Sequence, residues 1–233
     1  MQQPDSGVST TRALRLVRVW DLPVRLFHWA LVLLMVISFT TGKLGGNWLQ
    51  WHFISGYSIL ALVLFRIVWG LIGSQTARFS SFLRGPAQVF RYGRSLLGGP
   101  PQFHAGHNPL GGLMVVLMLL LLLLQATTGL FVDDDIATRG PLADKVSDAT
   151  VSLMTRIHRI NINVLLACVA LHISAALFYL FVKKDNLIRP MFTGVKDVPN
   201  DHPEPAMSHI GTALILIAIA AAFVTWLVKV YPK

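Results

Sequence analysis

The chain has 233 residues, of which 54% are hydrophobic and 13% charged, and a mean hydropathy of +0.59, which is too apolar for a water-soluble domain. The composition therefore predicts an all-α integral membrane helical bundle. A formal charge of +9 does not point to nucleic acid, because the basic residues lie between long apolar runs and form no separate basic domain.

Five segments are each near the length a helix needs to cross the hydrocarbon. The first, about Pro23 to Gly42, follows an arginine-rich polar stretch and lies too far from Met1 for a cleaved signal peptide, so it is expected to remain as a mature helix. Pro23 suits its start and Gly42 its end. The second runs from Trp51 to Gly73, and a connection rich in glycine, proline and arginine follows from Ser74 to Asn108. The third, Leu110 to Val132, contains the leucine-dense run Leu113 to Leu124, which reads as lipid-facing and packing surface. An acidic loop then carries Asp133, Asp134, Asp135, Asp144 and Asp148 against Arg139 and Lys145. The fourth segment is Thr155 to Val182, a polar proline-containing linker spans Met191 to Pro205, and the fifth is His209 to Lys229. Strands have almost no room in this scheme.

Orientation follows from the basic residues. With the N-terminus inside, Arg12, Arg15, Arg18, Arg25, Arg78, Arg84, Arg91, Arg94, Lys183, Lys184, Arg189 and Lys196 all lie inside, and the acidic loop lies outside. The opposite orientation violates the positive-inside bias.

Depth can then be assigned to the histidines. His158 and His172 are fourteen residues apart in the fourth span, about 1400° of rotation and about 21 Å of rise, so they project from nearly one face at opposite depths. His28 lies at the inner level with His172, and His52 at the outer level with His158. Neutral imidazoles supply lone pairs to iron, and two from facing helices fill both axial positions of a haem, leaving an iron that carries electrons rather than binds oxygen. The single cysteine, Cys168, excludes an intrachain disulfide, an all-cysteine iron–sulfur site and a Cys-x-x-Cys-His attachment, so such a haem is held without a covalent link. A lone intramembrane histidine serves equally well as a hydrogen-bonding partner for a neighbouring helix; four at two matched depths argue for ligation.

At these residues the chain resembles a known family. Arg25-Leu26-Phe27-His28-Trp29, Trp51-His52-Phe53-Ile54-Ser55-Gly56, Gly106-His107-Asn108-Pro109-Leu110-Gly111 and the interval from Ile157-His158-Arg159 to Leu171-His172-Ile173 are together similar to the prokaryotic cytochrome b561 and nickel–iron hydrogenase b-type cytochrome family, over roughly Val19 to Gly194. The resemblance implies a four-helix core that holds two b-type haems and passes electrons between a quinone pool and a partner, with His28, His52, His158 and His172 as ligands. It divides the chain into an N-terminal segment (1–18), that core (19–194), and a linker with a fifth helix (195–233) whose role the resemblance does not cover.

Other residues support the same picture. Haem propionates need cationic partners. Arg66, fourteen residues after His52, reaches the inner level, unless it snorkels to the inner headgroups. Arg25 lies on the side of His28, and Arg159 next to His158 serves the outer haem; interfacial anchoring is the alternative for both. Gly56, one turn from His52, lets a porphyrin lie close or lets helices pack. His107, with His104, bonds a propionate or quinone or caps the third helix, capping being favoured. Gln125, Thr127 and Thr128 are expected to make interhelical hydrogen bonds rather than a quinone site, and His202 and His209 to be surface residues.

The resulting expectation is a multi-pass cytochrome of a bacterial inner membrane, in contact with lipid and not with nucleic acid. It exchanges electrons with quinone or quinol and with a redox protein such as a c-type cytochrome or dehydrogenase subunit. Its acidic outer loop steers a basic partner, or is acidic only because acidic residues are tolerated there. Two alternatives are a superoxide:quinone oxidoreductase of the same fold and a haem-free transporter or assembly subunit.

Overall fold

The computed structural model describes residues 14–96, 98, 104–133, 138–200 and 202–231. The chain runs β1 (Leu14–Arg18), α1 (Leu22–Leu44), α2 (Leu49–Ile72), α3 (Phe79–Phe82), α4 (Pro86–Ser95), α5 (Pro109–Gly129), α6 (Asp148–Phe181), α7 (Ile188–Thr193), β2 (Val195–Pro199) and α8 (Ile210–Lys229). Five of these helices, α1, α2, α5, α6 and α8, are long and apolar enough to cross a membrane. They correspond in order to the five expected spans.

Local chemistry sets the helix ends. The Asp21 carboxylate accepts from Val24 N at 2.7 Å and caps α1, with Pro23 in the first turn. Gly42 lies inside the last turn of α1 instead of ending it; the stop is Gly45, whose φ of +65° is open to glycine. α6 begins at Asp148 rather than Thr155, because Ser147 accepts from Thr150 N at 3.3 Å and Asp148 favours the positive end of the helix. Its 34 residues span about 51 Å, well beyond the hydrocarbon.

The expectation of no strands is corrected. β1 and β2 form an antiparallel pair running from Leu14 opposite Pro199 to Arg18 opposite Val195, with Val17 and Val198 buried beneath it. The pair joins the segment before α1 to the segment after α7. Gly194, at φ +83°, closes the junction: its carbonyl accepts from Val19 N at 2.9 Å and Trp20 N at 3.1 Å, and a Cβ there would meet Trp20 O at 3.0 Å. The side of the bundle bearing this sheet is the strand face, and the opposite side the loop face.

In the bundle α2 is central, packed by α1, α5 and α8, and half of its span is buried against 6% for α6. α6 lies along α5 and has no comparable contact with α1 or α2. The linker before α8 is fastened to the end of α2, where Gln75 and Ala206 exchange two hydrogen bonds of 2.9 Å and Ser208 N donates to Ser74 Oγ at 3.0 Å. Outward leucines such as Leu33 and Leu120 are exposed, as expected when the solvent is lipid.

Candidate functional site

Four histidines bridge the space between α6 and the α1/α2 pair. At the loop-face level, His52 on α2 and His158 on α6 bring their ring centres to 6.2 Å. His52 Nδ1 donates to the Ser38 carbonyl at 2.8 Å, and His158 Nδ1 to the Gln125 carbonyl at 2.9 Å. Carbonyls only accept, so both rings carry their proton on Nδ1 and turn the Nε2 lone pair away from it. The His158 Nε2 lone pair meets the Gln125 side-chain amide at 3.1 Å, and Asn161 holds that carboxamide by donating to its Oε1 at 2.8 Å. Two glycines make room for the rings. A Cβ on Gly42 would sit 2.8 Å from His52 Nδ1, and one on Gly129 3.1 Å from His158 Cε1. Gly56 is different, since a Cβ there would meet nothing within 4 Å, and no helix packs on it closely.

At the strand-face level, His28 on α1 and His172 on α6 have ring centres 6.4 Å apart. His28 Nδ1 is buried without a protein hydrogen-bond partner. Arg66 is 3% exposed and its Nη1 also lacks a partner, so a cation is held in the apolar interior with a donor unspent. Snorkelling would have brought that guanidinium to water. His107 lies between the rings of Trp20 and Phe82, centres 4.7 and 4.6 Å away, and its buried Nδ1 is likewise unpartnered. It does not cap α5, contrary to the favoured expectation: Asn108 does, accepting from Gly111 N at 2.8 Å. Burial, then the Arg66 charge, then His172 hold the His107 imidazole well below its ordinary range, at about 3, so it is neutral at physiological pH.

The remaining candidates are distributed more loosely. Arg25 donates to the Phe192 carbonyl in α7, tying α1 to the strand face, while its Nε is buried and unpartnered. Trp29 reinforces that tie, stacking on Phe192 and donating to Met191 O at 3.1 Å. Arg159 is exposed and lines a surface pocket with Asp133, Ser152, Thr155 and Arg156. Gln125 and Thr128 bond across to His158, whereas Thr127 bonds back to its own helix at Leu123. His104 stands 5.2 Å from the Tyr92 ring, His202 is half-buried with its carbonyl accepting from Arg15, and His209 is exposed. Arg139 pairs with Asp133 and Asp144, both at 2.7 Å, while Asp134, Asp135 and Arg12 lie outside the described residues.

Residues 19–194 match the prokaryotic cytochrome b561 family over three quarters of the chain. The protein belongs to that family. Curated relatives of this cytochrome include the probable Ni/Fe-hydrogenase B-type cytochrome subunits of Azotobacter chroococcum mcd 1 and Azotobacter vinelandii. Each is 24% identical over 231 residues, covering 85% of this chain and 95% of the relative. No solved structure matches the chain significantly. As a cytochrome b561 family member the protein is a multi-pass bacterial membrane cytochrome of the b type, serving transmembrane electron transfer with haem b.

The residues fit that group. A metal–imidazole bond of about 2.0 Å and roughly 1.1 Å from ring nitrogen to ring centre put two opposed axial imidazoles about 6.2 Å apart, centre to centre. Both pairs stand near that spacing. The unpartnered donors of Arg66 and His107 suit carboxylates. Among the described residues no three His, Cys, Asp or Glu side chains converge.

Sequence reasoning missed Asp21, Ser38, Gly42, Gly129 and Asn161. Gly42 had a signal, since it follows His28 by the same fourteen residues that separate His158 from His172. Asp21 had another: no other acidic residue occurs between residues 6 and 132.

Proposed function

We propose that the protein is a diheme b-type cytochrome carrying electrons across a bacterial inner membrane between the quinone pool and a periplasmic or membrane redox partner. The observation that carries this reading is the pair of imidazole couples, each near axial spacing, hung from one helix fourteen residues apart. His28 with His172 and His52 with His158 would hold the two haems. Residues 19–194 form the haem-binding core, the N-terminus is cytoplasmic by the distribution of arginines, and the strand face is therefore the inner one.

Haem b supplies a one-electron iron couple at each level when bound. The protein's part is to prepare its ligands. The carbonyls of Ser38 and Gln125 hold the outer imidazoles in the Nδ1–H tautomer and raise their basicity at Nε2. Ligation by His158 requires the Gln125 carboxamide to release that nitrogen. Arg66, His107 and Arg25 offer donors to propionates at the inner level, Arg159 does so at the outer level, and Gly56 leaves room for the macrocycle. A quinone headgroup is the small-molecule partner. The protein partner is a hydrogenase-like or other dehydrogenase subunit, as the relatives' names suggest, or a c-type cytochrome.

A reduced-minus-oxidised spectrum combined with haem content per polypeptide tests the proposal. Two non-covalent haems b per chain are expected; a colourless or single-haem protein overturns it, and a colourless one favours the transporter or assembly reading. The surface pocket lined by Arg156 and Arg159 against one carboxylate, Asp133, favours one alternative, a superoxide:quinone oxidoreductase, because its two cations would attract a small anion. Superoxide-dependent quinone reduction by the purified protein, abolished in an Arg156→Gln/Arg159→Gln variant, would establish that reading instead.

A further inference from the structure

Asp21 is an acidic residue alone in a long acid-free stretch, and it is buried, with 5% exposure. One carboxylate oxygen accepts from Val24 N at 2.7 Å and caps α1. The other accepts from Trp69 Nε1 at 3.0 Å and so fastens α1 to α2. Neither bond explains a charge. A serine or asparagine caps a helix about as well, and an indole N–H needs only a neutral acceptor. An isolated buried carboxylate is costly unless a cation answers it.

That cation is one turn along α2 from Trp69. Arg66 is itself buried, answers the Asp21 charge through space rather than by a direct hydrogen bond, and keeps Nη1 free of protein partners. Asp21 therefore balances the guanidinium without consuming its free donor. Along α1 it precedes His28 by seven residues, about 10.5 Å of rise, which puts its charge closer to the His28/His172 level than to the other.

We propose that Asp21, fixed by Val24 N and Trp69 Nε1 at the junction of α1 and α2, lowers through its negative charge the midpoint potential of the haem held by His28 and His172; this rests on the diheme reading above. A negative charge favours ferric over ferrous iron. At an effective dielectric of about 20 and about 10.5 Å, losing it shifts the reduction equilibrium roughly tenfold toward the reduced form, about 59 mV for one electron. At the other level, about 21 Å further away, the shift is only about twofold.

The experiment is a spectroelectrochemical titration of the full-length purified protein and its Asp21→Asn and Asp21→Ser variants, with haem content measured in parallel. Asp21→Ser keeps a capping hydroxyl, so a folded variant without the charge remains available if asparagine is not tolerated. Repeating the titration in a His158→Ala background isolates the His28/His172 haem. A Trp69→Phe variant, which breaks the hydrogen bond but keeps the charge, is the structural control. An upward shift of about 59 mV at the His28/His172 haem, with little change at the other and little change in Trp69→Phe, is the expected result. Two bound haems with unmoved or equally moved potentials overturn the role of Asp21, as does a Trp69→Phe variant that reproduces the shift. A wild-type protein without two haems instead overturns the diheme reading, and this role with it.

Discussion

Replacing Gly42 by alanine puts a methyl group where the His52 ring now sits. The new Cβ would lie 2.8 Å from Nδ1 and 3.0 Å from Cε1. Carbon contacts settle near about 3.5 Å, so the ring must retreat by roughly half an ångström or more, and the 2.8 Å bond from Nδ1 to the Ser38 carbonyl is strained or lost. Overpacking of this kind costs about 1–3 kcal/mol. Alanine also adds up to about 1 kcal/mol of helix propensity, but that term stabilises α1 and does not re-seat the imidazole. The net cost is up to about 3 kcal/mol, so the thermal midpoint in detergent falls, and because the displaced ring is the proposed ligand the His52/His158 haem binds more weakly than the other one. Gly56→Ala is the companion. Nothing lies within 4 Å of its Cβ, so the haem-free fold is untouched, and only a macrocycle lying there would feel the methyl. Haem content and the split of the reduced α-band, measured on both variants, are the assay. A Gly42→Ala protein that retains two haems with wild-type affinity, spectrum and potentials would refute the reasoning.

Other consequences are equally direct. His172→Ala should lose the strand-face haem and His158→Ala the loop-face one, halving haem per polypeptide and removing different parts of the α-band; loss of neither in a folded protein sinks the pairing. His107 is neutral in the fold, with its pKa lowered to about 3 by burial, Arg66 and His172, whereas the unfolded chain takes up a proton near about 6.5. The stability present above pH 6.5 should thus drain away as pH falls toward 3, and thermal melts in detergent should show a shallower acid loss for His107→Gln; identical slopes would dismiss the effect. Neutralising Asp133, Asp134 and Asp135 to asparagine should slow reduction by a basic soluble donor and flatten its dependence on ionic strength, and stopped-flow rates across a salt series test this.

The five spans are legible in the sequence because lipid imposes length and apolarity on each. The strand pair is not. Leu14 to Arg18 reads as a basic tail, and its partner lies beyond every span, so no local pattern advertises the pairing. The start of α6 is hidden for a related reason: its cap, Ser147 and Asp148, belongs to a loop that hydropathy counts as polar. At the candidate site the histidine depths are readable from helical period. The groups that orient the rings are not, because Ser38 and Gln125 act on them through backbone carbonyls that every residue type possesses. Asn108 replaces His107 as the cap because its short side chain reaches Gly111 N.

One interval organises what remains. Fourteen residues separate His158 from His172 on α6, His52 from Arg66 on α2, and His28 from Gly42 on α1. Each step is about 21 Å and falls about 40° short of four turns, so both members of a pair face the same side of their helix at the two levels. Their roles alternate. α1 gives a histidine at the strand-face level and an empty Cβ position beside His52 at the loop-face level; α2 gives a histidine at the loop-face level and a buried cation at the other. Only α6 gives a histidine at both. Thirteen residues would leave the second group about 140° from its partner's face and fifteen about 60°. The constraint therefore acts on spacing as well as on residue type, and it binds three helices together. That is why α6, which has little packing of its own against α1 and α2, meets them through its histidines.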